Sequence, residues 1–443
     1  MSALESPLEP SRTPAIGTAP VVAPKTPIAL GVITGLLALL LVLSSHAGQE
    51  TTFRLATRTD LFEIPAVTVP TMPTSWLLVG LLAAATAWSV ALLVAKRRTP
   101  LWLVVAYAVV GMLAFLTWAA AGGTLPVVGL LGGALALAIP LVFGALCGVL
   151  GERSGVINIA IDSQLLFGAF AAALAGSAVT QALGTGSETL PRWSGLLAGL
   201  AAAMVAGMAI ALVLAVFSVS YGVDQIIVGV VLNVLVIGLT SFLFTQVLAP
   251  NSATLNSPPR FPRMPIPLLG DIPLVGPIFF RQTLLVYLMY AAVPLIAWAL
   301  YRSKWGLRVR AVGEHPKAAD TVGVKVLATR YRTLLLAGVL SGIGGATYTL
   351  VAVSQFNREM TGGAGFIALA AMIFGKWDPI RATLAALLFG FASNLQGVLS
   401  VLGSPVPSQF MLMLPYVVTI FAVAGLVGHS RPPSALNTPY TKG

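Results

Sequence analysis

Two apolar runs, Thr283 to Leu300 and Thr333 to Val353, flank a polar break, Tyr301 to Arg332, that reads YRSKWGLRVRAVGEHPKAADTVGVKVLATRYR. Each run is long enough to cross a bilayer as a helix, at about 20 residues per crossing. Inside hydrocarbon every backbone N–H and C=O needs an internal partner, so such runs have two solutions, helices or a closed barrel, and their length selects helices. The break carries Arg302, Lys304, Arg308, Arg310, Lys317, Lys325, Arg330 and Arg332 against only Glu314 and Asp320. An excess of basic residues beside membrane spans marks the cytoplasmic side.

The rest of the chain repeats the pattern. Hydrophobic residues make up 57% and charged residues 9%, where a soluble domain carries about a quarter charged. The expected class is an all-α polytopic membrane protein with about 11 to 12 transmembrane helices lying in the lipid bilayer. The net charge of +11 is explained by the basic break and by Lys96, Arg97 and Arg98, so no nucleic-acid partner is expected. Cys147 stands alone and His46, His315 and His429 fall in separate polar segments, which gives neither a disulfide framework nor a metal site. The chain holds no P-loop, no H-E-x-x-H and no G-x-S-x-G, so it is not expected to be an enzyme or to hold a cofactor.

Residues 1–27, rich in Pro, Ser and Thr, read as a disordered tail. Residues 28–121 hold additional N-terminal spans, Ile28 to Leu43, Trp76 to Ala95 and Leu101 to Ala121, and charge bias puts the N-terminus in the cytoplasm. Further spans follow at Leu125 to Leu150, Val156 to Thr180, Ser194 to Phe217 and Gln225 to Leu248, then a proline-rich external loop over 249–282. Gly144 with Gly148, Gly195 with Gly199, and Gly338, Gly342 and Gly345 are spaced for close helix approach. Thr361 to Pro379 is short for a full crossing, so it is either a tilted span or a re-entrant segment. Asp378 followed by Pro379 suits a helix start. That helix runs to about Leu402, a last span covers Phe410 to Val427, and residues 429–443 form a tail.

Within the basic break, Pro316 suits a first helical position and Gly323 a left-handed stop. The short helix between them places Ala318, Ala319 and Val322 in a small apolar patch among charges. Such a patch either docks into a partner's groove or lies solvated on the bilayer surface. Ionisable and amide groups inside spans are costly and therefore informative. Glu152 and Arg153 are expected to pair with each other. Asn158 and Asp162 share a helical face with Gln164 nearby; with Asn233, Asn394 and Gln396 they either line a polar pathway or bond to neighbouring helices. No span carries a stacked carboxylate or histidine chain, which favours an external energy source.

Four motifs in order, Gly151-Glu152-Arg153-Ser154-Gly155-Val156-Ile157-Asn158-Ile159, Asp224-Gln225-Ile226-Ile227-Val228-Gly229 with Asn233, the run from Arg308 to Asp320, and the run from Gly365 to Trp377, resemble the permease subunits of bacterial ATP-binding-cassette (ABC) importers for nucleosides and simple sugars. The nucleoside branch is the most similar, and the resemblance covers residues 125–428 as the permease domain. It implies a multi-pass protein of the bacterial cell membrane that passes a small-molecule substrate inward. The implied partners are cytoplasmic ABC ATPase subunits, a second permease subunit, identical or a different chain, and an extracytoplasmic substrate-binding protein. Gly313, Glu314, His315, Pro316, Lys317, Ala318, Ala319 and Asp320 would match the family's ATPase-coupling helix. The family usually continues its Asn-Ile motif with Glu-Gly-Met, whereas this chain reads Asp162-Ser163-Gln164. The alternative is a secondary transporter or channel for a small polar solute, in which the basic break only anchors topology.

Overall fold

The computed structural model describes residues 24–44, 46, 48–56, 64–184, 189–402, 413 and 431–441. The expected last span, Phe410 to Val427, apart from Met413, and the expected tail up to Ala23 lie outside the described residues. Ten helices among the described residues are long and apolar enough to cross a membrane. The chain divides into two compact units.

The first unit, Met1–Gln49 with Pro70–Ala121, contains α1 (Lys25–Leu43), α2 (Thr71–Val94) and α3 (Leu101–Ala119). Their outward side chains are apolar, Leu77, Leu81 and Val94 among them, which suits contact with lipid. Inside, Leu30, Leu82 and Tyr107 pack together. Three hydroxyls here bond across the helices: Thr34 Oγ1 bonds Thr86 Oγ1 at 3.2 Å and Tyr107 Oη at 2.8 Å, and Tyr107 Oη donates to Leu30 O at 2.7 Å.

The second unit, Glu50–Val69 with Gly122–Gly443, begins with β1 (Glu50–Arg54), which pairs in parallel with β3 (Thr124–Pro126), while β2 (Val67–Pro70) flanks β1 on its other edge. Then come α4 (Val127–Arg153), α5 (Ile161–Leu183), α6 (Thr189–Ala215), α7 (Gln225–Leu243) and the single turn α8 (Ser252–Leu255). An antiparallel ribbon of β4 (Arg263–Pro265) and β5 (Arg281–Thr283) leads into α9 (Leu284–Arg302). After it follow α10 (Lys304–Glu314), α11 (Pro316–Thr321), α12 (Val326–Thr347), α13 (Ala364–Phe374) and α14 (Pro379–Val401). One π-helical turn extends each of α6, α7 and α12, the last over Tyr348–Ala352.

The core is built around α4, whose Ile139, Phe143, Leu146 and Leu150 are fully buried, and the glycines let its neighbours close in. A Cβ on Gly342 of α12 would collide with the Ala203 carbonyl of α6, and one on Gly207 of α6 with the Gly338 carbonyl of α12. Because lipid gives no hydrophobic drive for association, this backbone proximity and the dispersion it allows hold the crossing. Gly345 approaches α5 in the same way, at Leu165.

Helix starts follow the expected chemistry at two carboxylates. Asp224 accepts from the N–H groups of Ile226 and Ile227, and Asp378 from those of Ile380 and Arg381. Three expectations need correction. The basic break is mostly helical: α10 fills its first part, and α12 begins at Val326 rather than Thr333. Ser303 Oγ caps α10 by accepting from Gly306 N at 3.0 Å, and Gly306, Val309, Val312 and Gly313 form a buried stripe at helical spacing that the surrounding charges hid. α5 starts at Ile161, not Val156, because Gly155 turns left-handed at φ +86. Glu152 and Arg153 both turn to Trp377, whose indole N–H donates to Glu152 and whose carbonyl accepts from Arg153.

That last contact decides between the tilted and re-entrant readings of Thr361 to Pro379. The end of α12 is bonded by Arg260, on the stretch leading into β4, which donates to Ala352 O. Trp377 sits at the far end of α4, beside Glu152 and Arg153. The chain from 353 to 378 therefore crosses, in a first half without α-helix and a second half formed by α13. In the first half Phe356 and Thr361 are buried, Thr361 also lining the cavity described below, while Gln355, Asn357, Arg358 and Glu359 are exposed; irregular backbone at membrane depth is tolerated where it is buried in protein or lines a water-filled cavity.

Candidate functional site

The basic break and a large cavity lie at opposite ends of the same helices. α9 leaves the cavity wall at Thr283 and reaches the break at Arg302. Its 19 residues, at a rise of about 1.5 Å each, span roughly 28 Å. α12 runs back, from Val326 in the break to Thr347 and Tyr348 in the cavity wall.

At the break, α11 forms as its sequence dictates, with Pro316 in its first turn and Gly323 left-handed at φ +85 just beyond it. Its expected apolar patch is split. Ala319 is buried at 4% exposure, packed with Val312 and Val326, whereas Val322 is 78% exposed and Ala318 is exposed beside it. The reason is geometric: Ala318 and Ala319 are about 100° apart around a helix, so one faces the body when the other faces out. Gly313 is buried and close to Arg153 O, where no Cβ fits. Glu314 accepts from Ser434 N and Oγ at 3.2 and 2.9 Å. His315 and Lys317 are exposed, and Pro316 and Asp320 are half-buried along the same turn. The outward surface of the expected coupling segment is centred on His315, Ala318, Thr321 and Val322.

The amide and carboxylate groups inside the spans act as helix clamps. Asn158, Gln164 and Cys147 form a closed cluster: Asn158 Nδ2 reaches Cys147 Sγ at 3.2 Å and Gln164 Oε1 at 3.4 Å, and all three are fully buried. Asp162 accepts from Gly365 N at 2.9 Å and from Thr361 Oγ1 at 3.3 Å, so a carboxylate of α5 caps α13, which has no side-chain cap of its own. Asn233 of α7 accepts from Ser163 N at 3.0 Å and donates to Ile159 O at 3.1 Å, which satisfies a first-turn donor of α5. These are the N–H groups a helix leaves orphaned, and within a membrane they need protein partners. Asn394 donates to Leu130 O at 2.7 Å, and Gln396 is half-buried on the same helix. None of the six lines the cavity. Asn158, Asp162, Gln164, Asn233 and Asn394 bond to protein groups here, as in the second of the two readings open for them, and Gln396 makes no such bond among the described residues.

Replacing Asp162 or Asn233 with Ala is accordingly expected to destabilise the protein by about 1 to 3 kcal/mol, the cost of orphaning buried donors. Thermal unfolding of the purified variants measures this; an unchanged midpoint in both would remove the clamp assignment.

The cavity has a volume of about 1470 Å³, larger than the roughly 300 to 1,000 Å³ of a closed ligand pocket, as suits a vestibule. Gly129, Gly132, Gly133 and Pro140 of α4 form one wall, Thr347 and Tyr348 of α12 another, with Phe261, Ala364, Ile367 and Ser393 completing it. Arg54, Arg260, Arg263 and Arg281 also line it, with Asp271 the one carboxylate among the lining residues. Asp271 pairs with Arg281 at 2.7 Å. Sequence reasoning missed these residues, although two signals pointed to them. GLLGGALALAIP, residues 129–140, pairs side-chain-free positions with a proline inside a helix. The arginines cluster around the proline-rich loop that was read only as stiff.

A family model described as "Branched-chain amino acid transport system / permease component" matches residues 130–423. The guanosine ABC transporter permease protein NupQ of Bacillus subtilis is 40% identical over 312 residues, covering 70% of this chain and 95% of that protein. The nucleoside ABC transporter permease protein NupC of Lactococcus lactis is 36% identical over 310 residues, covering 68% and 93%. The putative glucose ABC transporter permease protein TsgC13 of Haloferax volcanii is 35% identical over 341 residues, covering 71% and 98%.

Proposed function

The chain belongs to the branched-chain amino acid transport system / permease component family, and from that premise we propose that it is the permease subunit of an ABC importer carrying nucleosides into the cell. The nucleoside assignment rests on the relatives named for guanosine and nucleosides; the relative named for glucose makes a sugar the competing substrate. The observation that carries the mechanism is that α9 and α12 each hold the basic break at one end and the cavity wall at the other.

In this reading the substrate enters the cavity beside its arginines. Phe261 and Tyr348 offer aromatic faces to a base, and Thr347, Thr361 and Ser393 offer hydroxyls to ring nitrogens and sugar oxygens. The cationic mouth suits an acidic surface of an extracytoplasmic binding protein. Partner ATPase subunits bind the outward face of α11 through small apolar contacts at Ala318 and Val322, and a second permease chain completes the pathway. Their closure moves α11, and the packed α9 and α12 carry that displacement to the cavity wall. The N-terminus lies in the cytoplasm by the charge rule.

The test is uptake into vesicles holding the chain with its partner permease and ATPases and the binding protein outside. Labelled guanosine and labelled glucose are supplied with ATP inside, or with an ion gradient and no ATP. Guanosine accumulation that requires ATP is expected. Uptake driven by the gradient alone would replace the reading with a secondary transporter, and ATP-driven accumulation of glucose but not guanosine would replace the substrate.

A further inference from the structure

Residues 431–441 lie beyond the part of the chain that the family model matches, yet they are strapped across the break. Ser434 donates to Glu314 through both its N–H and its hydroxyl, and Ala435 N donates to Gly313 O at 2.9 Å. Asn437 Nδ2 donates to Asp224 Oδ2 at 3.2 Å. Ile227 N–H and then the Asn437 amide hold the Asp224 carboxyl below its usual range. Arg330 of α12 donates to Thr438 O at 3.1 Å. Tyr440 packs on the cluster of Val312, Ala319 and Val326, the same cluster that seats α11. One short strap thus ties together the junction of α10 and α11, the cap of α7 and the first turns of α12.

The strap also covers an unmet cost. Arg330 is 1% exposed, and its Nε and Nη2 have no hydrogen-bond partner among the described residues. A buried guanidinium with idle donors opposes the bonds that bury it, and lifting the strap would hydrate it. Attachment by several hydrogen bonds, set against a penalty that only release removes, describes a contact balanced between two states.

We propose that residues 431–441 are a releasable clasp that positions α11 for the ATPases and so sets how much substrate moves per ATP hydrolysed. The proposal rests on the permease reading above. The clasp acts through α11, so its loss does not silence the ATPases. It lets α11 move without passing its displacement to α12.

Two measurements test it. In the purified chain alone, hydrogen exchange over residues 313–323 is compared between the unaltered protein, Ala435→Arg, the milder Ser434→Ala with Asn437→Ala, and Ser434→Thr, which keeps the hydroxyl. Exchange is expected to rise in the first two variants and stay low in the third. In the full transport complex, uptake per ATP is expected to fall about fivefold in the variants that exchange faster, the effect of losing roughly 1 kcal/mol of attachment, while ATP hydrolysis continues. A variant that is merely damaged would lose both together. Unchanged exchange in both disrupted variants, or raised exchange with an unchanged uptake-to-ATP ratio, overturns the clasp. Failure of the unaltered complex to show ATP-driven uptake would instead count against the permease reading, and the exchange experiment would still decide whether the strap holds the loop.

Discussion

Gly132→Trp is expected to reduce uptake by about tenfold or more, equivalent to ~1.4 kcal/mol, while the protein still folds. Gly132 lines the cavity, and a Cβ built on it meets nothing within 4 Å. An indole there has room to enter the vestibule and occupies about 150 to 250 Å² of surface that a substrate would use. The neighbouring position supplies the contrast: a Cβ on Gly133 collides with the Asn394 side chain, so Gly133→Trp should lower stability as well as uptake. Uptake in vesicles and thermal unfolding, measured on both variants, separate blockage from misfolding. Full uptake by a well-folded Gly132→Trp protein would remove the cavity from the pathway.

The second large effect is a pair of aspartates at α11 with opposite consequences. Ala319→Asp places a carboxylate among Val312 and Val326 with no cation facing it in that cluster. It is expected to cost about 3 to 5 kcal/mol of stability, the range for an uncompensated buried charge. Val322→Asp alters a side chain that is 78% exposed, and its effect on folding should stay within about 0.5 kcal/mol. Its effect should fall instead on ATPase binding, by about 1 to 2 kcal/mol, or roughly five- to thirtyfold in affinity. Unfolding midpoints and titration with the purified ATPase distinguish the two. Equal ATPase affinity for Val322→Asp and the unaltered chain would rule out the outward face of α11 as the docking surface.

Much of this architecture is legible in the residues. Span positions followed from apolar length, and the start of α14 from Asp378-Pro379, because that signal acts within one turn of chain. α11 was legible for the same reason, through Pro316 and Gly323. Which of its faces is buried was not, since Ala318 and Ala319 are chemically alike and only the position of Val312 and Val326 chooses between them. α10 was obscured because the charges of Lys304, Arg308, Arg310 and Glu314 outweigh the stripe at Gly306, Val309 and Gly313. The intramembrane polar groups were found but their two readings could not be separated: the partner of Asp162 is Gly365, about 200 residues away in sequence, and no local pattern announces a carboxylate that caps another helix. The strap was invisible for a further reason. Its bonds use backbone groups of Gly313, Ala435 and Thr438 and side-chain pairs far apart in sequence, Ser434 with Glu314 and Asn437 with Asp224, so no local pattern marks them.

The three helices of the first unit carry a consequence for how such a chain is shortened. Thr34 on α1, Thr86 on α2 and Tyr107 on α3 satisfy one another's hydroxyls. Thr34 and Thr86 each keep a carbonyl of their own helix, Leu30 O and Leu82 O, but deleting α1 takes both Thr34 and the Leu30 carbonyl from Tyr107 inside a bilayer, where no water is at hand to replace them. Deleting all three strands none of these groups. Loss of α1 with α3 retained is therefore the truncation expected to cost most, and removal of all three helices the one expected to leave these hydroxyls no unmet bond. The same accounting makes the trio separable as a set, because the hydroxyls of Thr34, Thr86 and Tyr107 find their partners within it.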